Sequence, residues 1–248
     1  MRCYGGMKLL MSAIVLITSG SVLYAQNSNI VRISNFTIGM NGWMVQRIDK
    51  KVPPTRFSAK KIDGVSAVQA TSNKSMALLT KRVSINLSKT PILCWRWRVN
   101  RTVSGADITK KSGDDQAARI YVGLDLPNSK IPLGTRIKLA AARSKSKASI
   151  PDAAINYVWD NKLPVGTARP NVYTKQARII VAQSGNAAAG RWVNERYNLA
   201  NDINRQFKTK AAKIQSIAIS SDTDNAGGSV MAAFADIHFT NGKCNFRA

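Results

Sequence analysis

Acidic residues are scarce in this chain, and that narrows where its chemistry can sit. Thirteen Asp and Glu stand against 37 Lys and Arg, and Glu195 is the only glutamate. Two acidic clusters stand out: Asp114–Asp115 in "SGDDQAAR", and Asp222, Asp224 and Asn225 in "SSDTDNAGG". An Asp-x-Asp-Asn loop followed by glycines offers hard oxygen donors, the ligand type that calcium takes. It is no EF-hand, because the place of the closing bidentate glutamate holds Ala233. The competing role is structural: Asp and Asn cap turns between strands, or pair with Arg96, Arg98 and Arg119.

Two catalytic chemistries are open to these residue types. A glycosidase needs two carboxylates roughly 5–10 Å apart across the scissile bond. Asp115 with Asp222 or Asp224 is the pair to test. β-Elimination on an acidic polysaccharide would instead use an arginine to neutralise the substrate carboxylate and a tyrosine to move the proton. Arg96, Arg98, Arg119, Tyr121 and Tyr157 supply those types, although no motif of a known jelly-roll lyase is present. Asp115, Asp222 and Tyr121 are therefore the catalytic candidates. A single histidine, His238 in the strand-like "ADIHF", leaves no Ser-His-Asp set and no papain-like thiol. There is no Cys/His zinc spacing, and no Gly-rich phosphate loop opens a helix.

Binding asks for less. Aromatic faces stack on sugar rings, while guanidinium groups fork onto carboxylates and phosphates. Arg96, Arg98, Arg119, Tyr121, Tyr157, Trp159, Asp115 and Asp222 are the ligand-binding candidates. Trp159 in "NYVWDN" and Trp43 in "MNGWM" stand near turns, where either can serve a ligand or the core.

The elements that must position these residues read as strands. "ILCWRWRV", "AARIYVGLDL", "AINYVW", "ARIIVAQS", "IQSIAIS" and "VMAAFADIHF" alternate with period two. Turn signals such as "IDG", "LPNSK", "SGNAAAG" and "DTDNAGG" separate them. About a dozen such strands predict an antiparallel β-sandwich of jelly-roll type. In "NLANDINRQFKTKAAK", Leu199, Ile203 and Phe207 fall four apart, which predicts one short amphipathic helix. "RIKLAAARSKSKASIP" reads as a strand followed by a basic loop.

Alternation also assigns faces. Ala118, Ile120, Val122 and Leu124 share an apolar face, so Arg119, Tyr121 and Asp125 point away from it. Trp95, Trp97 and Val99 suit the core, which puts Cys94, Arg96 and Arg98 opposite. The other register would bury two arginines, which is costly without paired carboxylates. Ile217 and Ile219 face in, while Ser220 and Asp222 face out. Adjoining strands would gather the polar faces into one groove of guanidiniums, phenols and carboxylates.

The N-terminus "MKLLMSAIVLITSGSVLYAQNS" has the basic start, apolar run and small residue, Ala25, of a secretory signal peptide. The alternative, an uncleaved anchor, meets an apolar run broken by Ser12, Thr18, Ser19, Gly20 and Ser21. Residues 1–25 are thus read as a signal and 26–248 as one β-sandwich domain, periplasmic or secreted, with no second apolar run that could span a membrane. In an oxidising compartment, Cys94 and Cys244 are a natural disulfide. Loss of Arg2 and Lys8 would take the net charge from +24 to +22, which still attracts polyanions. The basic pairs Lys50–Lys51, Lys60–Lys61 and Lys110–Lys111 are scattered, as on a solvated surface. Nucleic acid suits the charge, but export argues against it.

"CWRWRV", "GDDQAARIYVGLD", "INYVW", "PVGT", "ARIIVAQSG", "GRWVNER" and "SDTDNAGGSVMAAFADIHF", in that order, resemble the bacterial family catalogued as domain of unknown function 3047. The resemblance runs from about Phe36 to Phe239 and implies an exported β-sandwich without an established activity. The "KCNFRA" tail and the strongly basic balance stand outside it. The expectation is an exported sandwich that binds an envelope or extracellular glycan, neutral or anionic, through an Arg/Tyr/Asp-lined sheet face. A polysaccharide-cleaving enzyme using the same groove is the alternative, and a structural envelope domain that recognises protein is the third reading. Calcium is the one cofactor the motifs suggest, and the sequence leaves the oligomeric state open.

Overall fold

The structure is a computed structural model and describes residues 29–145, 150–210 and 212–247. The expected signal peptide lies outside the described residues. Among these described residues thirteen strands form two sheets. In the first, the order is β11 (Val193–Asn198), β6 (Ile92–Val99), β13 (Ser229–Thr240), β4 (Val65–Asn73), β3 (Arg56–Ile62), and β1 (Ile30–Arg32) pairs with the end of β13. In the second, the order is β2 (Met44–Gln46), β5 (Leu78–Ile85), β12 (Lys213–Ser220), β7 (Ala118–Asp125), β8 (Ala153–Asp160), β10 (Ala177–Ser184), β9 (Ala168–Pro170). All pairings are antiparallel except β8 with β10, which run parallel. The all-β sandwich expected from period-two alternation is the fold.

The inward faces are those the alternation assigned. Trp95 and Trp97 from β6, Ile120 and Val122 from β7, and Ile217 and Ile219 from β12 are all fully buried in one core. Trp95 meets Trp97 edge-on at 5.4 Å and stacks on Tyr197 at 5.5 Å. Trp97 packs on Trp159 at 5.7 Å, so aromatic contacts bind the two sheets together. Tight turns hold the register. Asp63 and Gly64 both take positive φ (49° and 80°) between β3 and β4, the backbone that a two-residue hairpin requires.

Among the described residues two α-helices form where one was expected. α2 (Leu199–Phe207) is the anticipated one, capped by Asn198, whose side chain accepts from the Asn201 amide at 3.0 Å. α1 (Leu133–Lys145) replaces the strand expected in "RIKLAAAR". Ile137 and Leu139 do alternate there, but three consecutive alanines favour helix, and only Leu139 reaches the core.

Candidate functional site

The candidate residues fall on two opposite outer faces and in the core between them rather than on one face. β6 and β7 both send their apolar faces into the same core from opposite sheets, so their polar faces point away from each other. Arg96 and Arg98 stand on the outer face of the first sheet; Arg119, Tyr121 and Asp222 stand on the outer face of the second. The single groove expected from the sequence is therefore not formed. Tyr157 and Trp159 are on neither outer face. They are 0% and 1% exposed in the core, where the Tyr157 hydroxyl donates to Asp202 at 2.6 Å and the Trp159 indole donates to the Gly185 carbonyl at 2.9 Å. Trp43 is buried against Phe36.

On the second sheet the cluster is closed. Arg119, 3% exposed, donates through Nη2 to Asp114 at 3.1 Å and to Asp222 at 3.3 Å. Its charge sits 5.5 Å from the Tyr121 ring. Burial opposes ionisation of Arg119, but the carboxylates of Asp114 and Asp222 outweigh it and hold the guanidinium charged. Burial and the neighbouring carboxylates push Asp222 up to about 7 against the pull of Arg119. Burial likewise pushes the Tyr121 phenol well up, which makes it a poor proton acceptor at neutral pH. Asp115, fully buried, accepts from the amides of Asn225 and Ala226 and from the Asn225 side chain at 3.1 Å.

That geometry bears on whether the cluster suits calcium. Oxygens of Asp115, Asp222 and Asp224 do lie within 4.8 Å of one another. Asp115, however, spends both oxygens on the 225–226 backbone and side chain. Asp222 spends its oxygens on Ser220 and Arg119. Asn225 points its amide nitrogen at Asp115, and its oxygen receives the Tyr173 hydroxyl at 3.4 Å. With internal donors on these oxygens and a guanidinium among them, the residues form a clasp between two loops, and they fit a cation poorly.

On the first sheet the arrangement is more open. Alternation along β13 puts Ala232 and Phe234 inward, then slips phase so that Ile237 and Phe239 face inward. The slip is a bulge between Ala235 and His238, with Asp236 in the left-handed region at φ 51°. It turns the Asp236 carboxylate onto the Arg96 guanidinium, with Nε to Oδ2 at 2.6 Å. The C-terminal tail then crosses this face. The Cys94–Cys244 disulfide, 150 residues apart in sequence, holds it to β6. The Asn245 amide donates to His238 Nε2 at 3.0 Å, and the Arg247 amide to Asp236 at 3.2 Å. Burial lowers the pKa of His238, keeping it the neutral acceptor that Asn245 needs.

Beneath the tail lies a cavity of about 70 Å³, lined by Arg96, Arg247 and Asp236, by small polar residues of 34–37 and Ser66, and by the apolar Phe36 and Val65. Arg32, beside it, donates to Asn245 at 2.8 Å, and its pKa is lowered by burial and by Arg247. Three guanidiniums thus gather around one carboxylate. Arg98 is not part of this; it pairs with Asp63 at the β3–β4 turn. Asp236 and Arg247 escaped the sequence reading, though the phase slip in "VMAAFADIHF" was a legible sign of a bulge.

A third polar site lies between the sheets. Glu195 on β11 is 7% exposed and accepts from the Trp97 indole at 3.1 Å and from Gln183 at 3.0 Å, both at Oε1. Among the described residues no cation pairs with it, and burial pushes it up to about 7.

Comparison with solved structures gives only distant likenesses. Endoglucanase 3 of Trichoderma harzianum, from family GH12, is 8% identical with a TM-score of 0.43, covering 87% of this chain and 98% of its own. A family 12 xyloglucanase from Bacillus licheniformis is 10% identical with a TM-score of 0.35, covering 81% and 87%. No curated protein matches the chain. A family model matches residues 41–238, the stretch that carries β2 through most of β13 but neither β1 nor the C-terminal tail, and the chain belongs to that family, described as a protein of unknown function, DUF3047.

Proposed function

We propose that the protein is an exported binding module for acidic saccharides, and that Arg96 and Arg247 take the saccharide's anionic group. The observation that carries this reading is the cavity under the C-terminal tail, where Arg96 and Arg247 meet a single carboxylate, Asp236, and the rest of the lining mixes small polar side chains with Phe36 and Val65. About 70 Å³ has room for a carboxylate, sulfate or phosphate group, and the rest of the saccharide would lie across the surface outside. Guanidinium forks are matched to such groups. A disulfide and a signal-like N-terminus support export. No helix among the described residues is long and apolar enough to cross a membrane. The polysaccharide-cleaving alternative has less support, because Asp115 and Asp222 are buried and committed to internal partners.

The test is affinity electrophoresis of residues 26–248 through gels holding neutral or acidic polysaccharides, at salt high enough to suppress diffuse charge attraction. Retardation is expected in acidic gels only. Arg247→Gln should weaken it roughly tenfold, the worth of one charge-assisted pair. Lys60→Gln removes the same charge from exposed β3 and should leave retardation unchanged. If Lys60→Gln weakens it equally, the gel reads net charge and the site is wrong. A cleared track would make the protein an enzyme.

A further inference from the structure

α1 stands apart from the rest of the molecule in what it shows to solvent. Its thirteen residues include no acid, and none occurs anywhere between Asp125 and Asp152. The helix is held to the body along one line only. Leu139 packs against the main core, Thr135 lies 3.5 Å from Gln176, and Arg143 reaches the Ile150 carbonyl at 2.8 Å and Asp152 at 2.7 Å. At ~100° per residue, the opposite line carries Leu133, Ile137 and Ala141. Leu133 is 68% exposed and Ile137 63%, the largest and third-largest exposures among the large hydrophobics that stand in the open. Arg136 and Lys138, both exposed, lie ~100° to either side of Ile137 and flank this stripe.

A soluble helix normally turns its apolar stripe inward and its charges outward. Here a second apolar stripe points away from the body, with a cation on each shoulder. We propose that α1 docks on anionic lipid bilayers, lying in the plane of the headgroups with Leu133 and Ile137 inserted and Arg136 and Lys138 reaching phosphate. Basic side chains beside an apolar stripe let their stems lie in the interface while their heads stay among the phosphates. Charge favours this occupant over a second copy of the chain. Two such helices face to face would oppose cation to cation in a molecule of net charge +24. The surface is separate from the Arg96 cavity, and the proposal does not depend on the saccharide reading.

Co-sedimentation with vesicles tests it, using residues 26–248, which contain every described element and exclude the apolar N-terminal run. The protein should sediment with vesicles of phosphatidylglycerol mixed into phosphatidylcholine and not with phosphatidylcholine alone. Leu133→Ser with Ile137→Ser should lower the partition coefficient by roughly tenfold or more, since two inserted side chains are lost. Arg136→Gln and Lys138→Gln should each lower it about fivefold. Exposed positions tolerate these changes, and an unchanged melting temperature confirms it. Ile137→Trp adds a direct reading: its indole emission should shift to the blue on the anionic vesicles. The proposal is overturned if nothing sediments. It is also overturned if the double serine variant binds as well as the parent, because the charge alone would then be adsorbing. A concentration-dependent dimer that the same variant abolishes would assign the stripe to a second copy instead.

Discussion

Arg119 is a charge enclosed by protein, and its worth lies in what it leaves behind when removed. With Arg119→Ala, Asp114 and Asp222 would face each other in a buried site without their cation. The loss should be about 3–5 kcal/mol in urea denaturation. Pairing the change with Asp222→Asn should recover part of it, because the stranded carboxylate goes too. Glu195 makes the opposite case, a buried carboxylate with hydrogen-bond donors and no cation. Its pKa rises from 4.5 to about 7. Between those values the folded protein holds a proton that the unfolded chain releases, so its contribution is full below ~4.5 and fades as pH rises through 7. Glu195→Gln keeps an oxygen for Trp97 and Gln183 and should flatten that part of the pH–stability curve, by up to ~3 kcal/mol between pH 5 and 8. An unchanged slope would mean that the carboxylate is solvated. Residue alternation in the sequence told correctly which side chains leave the core. It could not tell which sheet a strand joins, and for Arg96 and Arg119 that decided everything.

At the scale of elements, the first sheet's outer face is assembled by a tail and a bulge acting together. The bulge in β13 delivers Asp236 to Arg96, and the disulfide delivers Arg247 to the same place. Cys94 and Cys244 could be paired from the sequence by compartment alone. The consequence, a tail that roofs a cavity, could not, because "KCNFRA" has no periodicity to assign it a face. Replacing Cys244 by Ala should cost about 2–5 kcal/mol of stability, given the long loop that the bridge closes. It should also weaken retardation in acidic gels, because Arg247 loses its anchor. Lost stability with full retardation would show that the tail's hydrogen bonds to His238 and Asp236 suffice. α2 was legible because its apolar residues fall four apart and meet the core. α1 was not, because Ile137 and Leu139 alternate as in a strand while only Leu139 meets the core.

For the whole molecule, the question is where so much positive charge goes. Among the described residues, seven acids are already engaged in ion pairs, with Arg119, Arg96 and Arg143 among their partners. Few carboxylates remain to balance the exposed lysines, so like charges face one another across the surface. Such self-repulsion destabilises the compact state, and salt relieves it. Raising sodium chloride from 0.01 to 0.15 M shortens the screening length from ~30 to ~8 Å. The melting temperature should therefore rise, by ~2–4 °C for each kcal/mol of repulsion removed. A bound polyanion acts differently, because it stabilises by occupying a site rather than by screening. An acidic oligosaccharide should raise the melting temperature beyond sodium chloride of equal ionic strength, and Arg247→Gln should abolish that excess while keeping the salt response. Equal shifts from oligosaccharide and salt would make the charge a property of the surface as a whole. An excess that survives Arg247→Gln would move the saccharide site elsewhere on the molecule.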